Sequence, residues 1–314
     1  MINYPELHEN KRWLVTGAAG FIGSHLAETL LSKNQKVVGL DDFSTGKPEN
    51  IAGLKNLEFI EGSITDIKTC LKACKGVDFV LHHAALASVP ASMKDPVNYH
   101  EVNVSGFLNI LQAARENEVK RVVYASSSAV YGDDDLPEKV ENKIGKFLSP
   151  YAMTKYLDEV YAEFFTRVYK LECVGLRYFN VFGKRQDPDG AYAAVIPKWI
   201  EAVKNNKIPI IYGDGTATRD FCAVQNVVEA NLLAALEPEA AGQVFNIGCG
   251  KATSLNELLK IIYEVFAPGK EINFKQEKSR DGDILHSSAS IEKAKKILKF
   301  QPVLYLKEGL KFLL

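Results

Sequence analysis

A glycine-rich turn between a strand and a helix is the feature that most constrains how this chain can fold. Residues 12–16 have the apolar character of a buried strand, and a helical pattern runs from Phe21 to Lys33. The turn contains Gly17 and Gly20, and Gly23 follows in the first turn of the helix. Glycines at such positions let backbone N–H groups approach a pyrophosphate at the helix N-terminus and let helix and strand pack closely. The segment therefore predicts a phosphate-binding loop.

An acidic residue at the end of the next strand narrows the choice of ligand. The strand predicted at 36–40 is followed directly by Asp41. A carboxylate at this point of a dinucleotide-binding unit accepts hydrogen bonds from the hydroxyl groups of an adenosine ribose and repels a 2′-phosphate. We therefore expect NAD, and not NADP, as the cofactor.

Strand-like and helix-like segments alternate through the first half of the chain. This alternation predicts an α/β fold, a doubly wound parallel sheet of the Rossmann type with helices on both faces and right-handed crossovers. Ligands of such sheets lie beyond the carboxyl ends of the strands, so the loops that follow the strands should converge on one cleft. After the first two strands, the predicted strands are 57–60, 77–83, 121–125 and 172–179, and the predicted helices are 67–73, 96–117 and 151–170.

The pattern changes beyond about residue 180, where short strands and turns become denser. We predict an NAD-binding Rossmann domain at 1–180, to which some later segments return, and a smaller interleaved α/β lobe at 181–314 that binds the substrate. The strands predicted in this second part are 208–212, 244–247 and 272–275, and the helices are 193–205, 224–235, 254–266 and 291–298.

Tyr151 and Lys155 lie four residues apart in a predicted helix that begins at Pro150, so they share one face. Proline suits the first turn of a helix, where its missing N–H costs nothing. An ammonium group beside a phenol favours the phenolate and lowers the phenol's pKa from roughly 10. Such a tyrosine can take up and return a proton, so the pair is a candidate for general acid–base chemistry.

The composition excludes several classes of function. A net charge of −1 gives no support for binding nucleic acid or an anionic membrane, and no apolar run reaches the roughly 18 residues of a membrane span. The first 13 residues are polar and charged, without the apolar core of a signal peptide. The five cysteines form no zinc-binding pattern with histidines. We expect a cytoplasmic protein with reduced thiols and no metal.

Several motifs, occurring together and in order, resemble the extended short-chain dehydrogenase/reductase family, and most closely its nucleotide-sugar 4-epimerases that act on UDP-N-acetylhexosamines. They are the glycines of 17–23, Ser126–Ser128 before Val130–Gly132, and Tyr151 with Lys155. The stretches that carry the closer resemblance are 83–90, 176–183, 191–199, 213–221 and 281–283, and together the resemblance covers nearly the whole chain.

The resemblance implies a catalytic group of Ser127, Tyr151 and Lys155. In the family the catalytic Ser or Thr lies four residues before the tyrosine of a Tyr-Gly pair, which here is Tyr131. The implied reaction is oxidation and re-reduction of carbon 4 of a UDP-sugar through a transient 4-keto sugar. Tyr151 handles the O4 proton, and Lys155 also holds the nicotinamide ribose. Ser128 stands where related 4,6-dehydratases carry an acid, which disfavours a dehydratase.

The resemblance also implies two sets of binding residues. The cofactor set is Gly17, Gly20, Phe21, Ile22, Gly23, Asp41, Ser44, Gly46, Ser63, Ile64, Ala84, Ala85, Asn103, Tyr151, Lys155 and Tyr178. The substrate set is Ala87, Ser88, Ser127, Ser128, Asn180, Ala194, Val195, Trp199, Tyr212, Arg219, Arg280, Asp283 and Ser287. Arg219 and Arg280 would clamp the diphosphate, because a guanidinium matches phosphate bidentately.

One position of the substrate set bears on which sugar is bound. Ser287 matches the place where epimerases restricted to plain hexoses carry a bulky side chain, so a serine there implies room for a 2-acetamido group. Three departures from the family pattern affect binding details. Ser63 replaces an aspartate at the adenine, Ala87 replaces a glycine and narrows the sugar pocket, and Ile210 and Tyr212 replace a tyrosine and an asparagine on the uridine side.

The expected function is NAD-dependent interconversion of UDP-N-acetylglucosamine and UDP-N-acetylgalactosamine. The alternatives are a UDP-glucose or UDP-uronic acid 4-epimerase, a UDP-glucuronate decarboxylase or nucleotide-sugar dehydratase, and a non-catalytic NAD-binding regulator. The intact Ser127, Tyr151 and Lys155 disfavour the regulator.

The helix from Tyr151 carries more apolar surface than one sheet face needs, which predicts a homodimer. Its apolar and aromatic residues are Met153, Tyr156, Leu157, Val160, Tyr161, Phe164, Phe165, Val168 and Tyr169. A stripe this wide should pack against the same helix of a second subunit, together with the helix at 96–117, as a four-helix interface.

Overall fold

A seven-stranded sheet forms the centre of the computed structural model, which describes residues 4–187, 194–279 and 285–314. The described strands are β1 (Arg12–Thr16), β2 (Lys36–Asp41), β3 (Leu57–Glu61), β4 (Phe79–His82), β5 (Arg121–Ser127), β6 (Glu138–Lys139), β7 (Glu172–Tyr178), β8 (Val181–Phe182), β9 (Ile210–Tyr212), β10 (Thr218–Asp220), β11 (Cys222–Ala223), β12 (Val244–Ile247), β13 (Ala252–Ser254), β14 (Lys275–Glu277) and β15 (His286–Ala289).

The described helices account for most of the remaining ordered structure. They are α1 (Phe21–Ser32), α2 (Ile67–Ala73), α3 (Val89–Lys94), α4 (Pro96–Tyr99), α5 (Gly106–Glu116), α6 (Pro150–Phe164), α7 (Val195–Lys204), α8 (Val224–Leu236), α9 (Leu255–Phe266), α10 (Glu292–Ile297) and α11 (Leu306–Lys311). A π-helical segment, His100–Ser105, joins α4 to α5, and a second one, Phe165–Tyr169, extends α6.

The central sheet is parallel throughout, in the order β12-β7-β5-β4-β1-β2-β3. The strand order reverses between β1 and β4, which is the switch point where ligands of such sheets bind. The predicted doubly wound Rossmann fold is therefore confirmed. β12, at one edge of the sheet, comes from the second half of the chain.

Two apolar cores cover the two faces of the sheet, and a third lies in the second half of the chain. α1 and α8 pack on one face with residues such as Leu26 and Val227, and α2 and α5 pack on the other with residues such as Phe107. The third core joins α7, α9 and α11 around Trp199 and Ile262. This separate core agrees with a second lobe, and the division at residue 180 stays a proposal.

Several predicted elements differ from the structure in their bounds or helix type, and two are described here. The strand predicted at 272–275 is instead β14, because its pairing with β9 begins at Lys275 opposite Ile210. The helix predicted at 96–117 begins at Pro96 and ends at Glu116, and its middle turns are π-helical. Among the described residues, no helix has the length and the apolar character needed to cross a bilayer.

Candidate active site

A cleft of about 680 Å³ lies at the carboxyl ends of β1, β4, β5 and β7. This volume is typical of pockets for small organic ligands. Fifteen of the predicted site residues line it: Gly17, Gly20, Phe21, Ile22, Gly23, Ala85, Ala87, Ser127, Ser128, Tyr151, Lys155, Tyr178, Asn180, Arg219 and Ser287. The topology thus brings together residues from both halves of the chain.

The glycine-rich turn requires glycine at two positions. Gly17 has a φ of +67°, and a Cβ atom there would lie 2.8 Å from the backbone nitrogen of Ala84. A Cβ atom on Gly23 would overlap the carbonyl oxygen of Gly17, so only glycine lets α1 begin this close to the turn. The result is an open cradle of backbone at the N-terminus of α1, which fits the pyrophosphate of a dinucleotide.

Asp41 is buried at the end of β2 and is held by the turn itself. Its carboxylate accepts hydrogen bonds from the backbone N–H of Ala19 at 2.9 Å and of Phe43 at 2.8 Å. Burial raises the pKa of Asp41, and these two N–H donors oppose that shift. A Cβ atom on Gly46 would lie 2.8 and 2.9 Å from the two carboxylate oxygens, so the loop after β2 packs directly on this group.

The other residues of the predicted cofactor set do not line the cleft. Asn103 is fully buried, and its side chain bonds to both backbone groups of Leu86 and to the hydroxyl of Thr154. It therefore braces the loop after β4 instead of facing the cleft. Ser63 accepts hydrogen bonds from Thr65, and Ile64 is buried. The remaining members outside the cleft lining are Asp41, Ser44, Gly46 and Ala84.

Tyr151 and Lys155 both face the cleft from the first two turns of α6. The helix begins there because the Ser149 hydroxyl accepts a hydrogen bond from the N–H of Ala152, and because Pro150 occupies the first turn. The Lys155 ammonium is almost fully buried, with its Nζ 3.1 Å from Oδ2 of Asp158. The cleft therefore holds a phenol and a cation on one helix face, as the sequence predicted.

The three serines at the end of β5 have different roles. Ser126 is buried and donates to Glu159, whose carboxylate also accepts two hydrogen bonds from Arg177. The Ser127 Oγ accepts from the N–H of Ala129 and lines the cleft, so its own proton points to no described acceptor. Ser127 can therefore donate to a ligand oxygen, which is the role that the resemblance implies.

Tyr178 forms a fixed wall of the cleft. Its hydroxyl bonds to Nε2 of His83 at 2.9 Å and to Nδ2 of Asn231 at 2.8 Å, and its ring stacks on the imidazole. Burial raises the pKa of Tyr178 and lowers that of His83 to about 3, so both are neutral. Neither group can therefore act as an acid or base at ordinary pH.

Ser287 and Arg219 come together on the opposite side of the cleft. β10 and β15 pair in parallel, with Arg219 directly opposite Ser287. Arg219 donates to the carbonyl oxygen of Thr218 at 2.9 Å, and Ser287 is 9% exposed. A small side chain thus lies beside a cation, at the wall where the sugar nucleotide was predicted.

Five residues of the predicted substrate set do not line the cleft: Ser88, Ala194, Val195, Trp199 and Tyr212. Trp199 is buried in the core of the second lobe, and its indole N–H donates a hydrogen bond to the carbonyl oxygen of Ile210. Ser88 caps α3 by accepting from the N–H of Ala91. Arg280 and Asp283 lie outside the described residues.

Two cations at the mouth of the cleft were missed in the sequence. Lys47 pairs with Asp187 at 3.1 Å and Arg185 pairs with Glu28 at 2.8 Å, and both cations line the cleft. Lys47 directly follows Gly46, which was predicted to contact the cofactor, so its position in the loop after β2 could have identified Lys47 as a cleft residue. Within the part of the chain that the structure describes, no group of three or more His, Cys, Asp or Glu side chains could hold a metal ion.

Comparison with known proteins gives concordant matches. The model of the NAD dependent epimerase/dehydratase family matches residues 13–248. A putative UDP-glucose 4-epimerase of Methanocaldococcus jannaschii is 41% identical over 95% of both chains. A solved UDP-N-acetylglucosamine 4-epimerase of Methanobrevibacter ruminantium, in complex with UDP-N-acetylmuramic acid, has a TM-score of 0.91 and 39% identity over 97% of this chain and 98% of that one. A UDP-glucose 4-epimerase of Thermotoga maritima with UDP-glucose has a TM-score of 0.90 and 37% identity over 96% of both.

Proposed function

This chain belongs to the NAD dependent epimerase/dehydratase family, and we propose that, as a nucleotide-sugar 4-epimerase of that family, it interconverts UDP-N-acetylglucosamine and UDP-N-acetylgalactosamine. The predictions of the family, of NAD as cofactor and of a UDP-sugar 4-epimerase are confirmed. The choice of sugar is the part that we propose.

Ser287 is the observation that carries this choice. Its small side chain lines the cleft directly opposite Arg219 in the sheet, which is the cation proposed to bind the diphosphate. A bulky residue at this point would fill the space that a 2-acetamido group needs, whereas serine leaves that space open. The solved UDP-N-acetylglucosamine 4-epimerase, at 39% identity, supports the same choice.

The residues of the cleft, together with Asp41 behind the glycine-rich turn, fit the cofactor of this reaction. The backbone cradle at Gly17 would hold the pyrophosphate, Asp41 the adenosine ribose, and Lys155 the nicotinamide ribose. The chemistry that bound NAD would supply is hydride transfer from and back to carbon 4 of the sugar. The protein supplies the orientation of the two ligands and the path of the proton.

Proton handling is assigned to three side chains. Tyr151, as phenolate, takes the proton of the sugar O4 and gives it back at the end of the reaction. The Lys155 ammonium on the same helix face stabilises the phenolate. The Ser127 hydroxyl donates a hydrogen bond to O4 and orients it. Asn180 and Ser128, which also line the cleft, would contact the sugar.

A change of volume at Ser287 tests the choice of sugar. Ser287→Tyr should remove activity on UDP-N-acetylglucosamine and spare activity on UDP-glucose, because a phenol ring and an acetamide cannot occupy the same space and overpacking costs about 1–3 kcal/mol or more. Ser288→Tyr is the matched control, since Ser288 lies on the same strand, bonds to Pro137 and does not line the cleft. An unchanged ratio of the two activities in Ser287→Tyr would contradict the proposal.

UDP-glucose is the second candidate substrate, and one structural observation favours it. Ala87 lines the same cleft. The N-acetyl-preferring enzymes that this chain resembles tend to have glycine at this position, so the methyl group of Ala87 narrows the space near the sugar. Ala87→Gly should raise the activity on UDP-N-acetylglucosamine relative to UDP-glucose if this methyl group limits the acetamide.

A further inference from the structure

A buried ion pair lies beneath the cleft on α6. Nζ of Lys155 is 3.1 Å from Oδ2 of Asp158, and the two side chains are 3% and 1% exposed. The second oxygen of Asp158, Oδ1, is buried and has no hydrogen-bond partner among the described residues. The carboxylate of Asp158 is thus directed at Lys155 alone.

The position of this pair on the helix links it to the reacting face. Tyr151, Lys155 and Asp158 follow at intervals of four and three residues, so they lie on one stripe of α6. Lys155 is in the middle, between the cleft and the carboxylate. Asp158 itself does not line the cleft and cannot touch the substrate there.

A buried ammonium needs an opposite charge, because desolvation strongly disfavours an unpaired ion. Apart from Tyr151, which becomes a phenolate in the proposed reaction, the ionisable groups that the structure describes near the pair do not supply one. Burial lowers the pKa of His82 and His83 and raises that of Tyr124, so all three are neutral, and the Glu159 carboxylate is already bound bidentately by Arg177. Asp158 is therefore the counter-charge of Lys155.

We propose that Asp158 is a positioning residue of the epimerase, which holds the Lys155 ammonium charged and oriented beneath the cleft so that Lys155 can act on Tyr151 and on the nicotinamide ribose. This role rests on the function proposed above, since it concerns the same catalytic group. Asp158 acts through Lys155 and makes no contact with substrate.

The pair should control the alkaline side of the pH profile. Burial raises the pKa of Asp158 to about 7, against the opposing effect of Lys155, so the carboxylate is ionised at higher pH. An opposite charge at this distance typically favours the charged form by about one to three pH units. Without the Asp158 carboxylate, the buried Lys155 ammonium would have no counter-charge, which disfavours its charged form.

The first test is the dependence of kcat on pH. In Asp158→Asn the alkaline limb should move to lower pH by about one to three units, with KM for the UDP-sugar retained, and Asp158→Glu should restore much of the wild-type limb. Asp134→Asn is the matched control, because it breaks the equally buried pair of Asp134 with Lys139 outside the cleft. If Asp158→Asn loses thermal stability as the control does but keeps the wild-type limb, the proposal is wrong.

The second test needs no activity and serves if Asp158→Asn folds poorly. At pH 8, Lys155→Met should lower the Tm, because it leaves a buried carboxylate unpaired, and the double variant with Asp158→Asn should have a higher Tm than Lys155→Met. A double variant no more stable than Lys155→Met would overturn the pairing. Absence of epimerase activity in the wild type would refute the proposed function, but it would leave this thermal cycle interpretable.

Discussion

Ser127 lies directly opposite Tyr178 in the parallel pairing of β5 with β7. The two residues end adjacent strands of the sheet, and both line the cleft. They differ in how their hydroxyl groups are used, since that of Tyr178 is bound by His83 and Asn231 and the proton of Ser127 has no described acceptor. At this end of the sheet, the Tyr178 side chain is therefore held in place, whereas the Ser127 hydroxyl can donate a hydrogen bond to a ligand.

Tyr151→Phe should abolish turnover and leave NAD bound, because we propose that the phenol handles the O4 proton. General acid–base catalysis is typically worth 10²–10⁴-fold, so retention of more than about a hundredth of the activity would refute the role. Tyr156→Phe is the control. Tyr156 lies on the same helix as Tyr151, but its ring packs on Phe147 and does not line the cleft. Rates would be measured on each UDP-sugar, and bound NAD by absorbance after denaturation.

Asp41→Asn should weaken NAD binding by about tenfold and reduce the preference for NAD over NADP. In this variant an NH₂ group replaces one of the two Asp41 oxygens that accept hydrogen bonds from the N–H groups of Ala19 and Phe43. A hydrogen bond to a charged group contributes about 1.5–3 kcal/mol, so its loss should disturb the turn that holds the cofactor. Dissociation constants of both cofactors on stripped protein provide the measurement. Glu61→Gln, opposite Asp41 in the next strand, controls for lost charge at this sheet edge. An unchanged NAD/NADP ratio would count against Asp41 as the ribose ligand.

Glu229 should make stability depend on pH in a direction opposite to that of a paired carboxylate. Burial raises its pKa to about 7, and its Oε2 is buried without a hydrogen-bond partner among the residues that the structure describes. The folded state therefore binds this proton more tightly than the unfolded state, so the contribution is present at low pH and is lost as the pH rises to about 7.

Glu229→Gln should consequently raise the Tm at pH 8 and have little effect near pH 4. Thermal unfolding at several pH values gives the comparison, with the exposed Glu239→Gln as control. A Tm difference between Glu229→Gln and wild type that does not change with pH would contradict the assignment.

The exposed apolar residues of α6 support the predicted homodimer, which remains a proposal. Met153 is 52% exposed and Val160 is 46% exposed, and Met93 on α3 is 61% exposed on the other side of the same groove. Light scattering at micromolar concentration should give the mass of a dimer, and Val160→Glu should shift it to a monomer. Ile208→Glu, which alters an exposed apolar residue in the second lobe, should leave the mass unchanged. A monomeric wild type would refute the proposal.

The fold could be predicted well from the sequence because it depends on local patterns, and Ser127, Tyr151 and Lys155, whose catalytic role stays a prediction, line one cleft. The alternation of strands and helices implies a parallel sheet, and the carboxyl ends of its strands meet at one edge. Gly17, Asp41 and the ends of β4, β5 and β7 therefore come together there. The short helices α3 and α11 were not predicted, because six residues give too little periodicity to recognise.

Features that depend on packing could not be predicted. Asp158 follows Lys155 by three residues and has no pattern that distinguishes it from an exposed helical acid, yet it is 1% exposed. Trp199 lies on the apolar face of α7, and only the assembled lobe determines that its indole turns into the core and away from the cleft. Side-chain direction at such positions is decided by neighbours that are distant in sequence.

The most direct test of the central claim is to incubate the purified protein separately with UDP-N-acetylglucosamine and with UDP-glucose and to follow the anomeric and H4 signals by NMR. The account predicts that UDP-N-acetylgalactosamine forms from UDP-N-acetylglucosamine until both are present at equilibrium, and faster than UDP-galactose forms from UDP-glucose. Formation of UDP-galactose alone would contradict the choice of sugar, and the absence of either 4-epimer would contradict the proposed function itself.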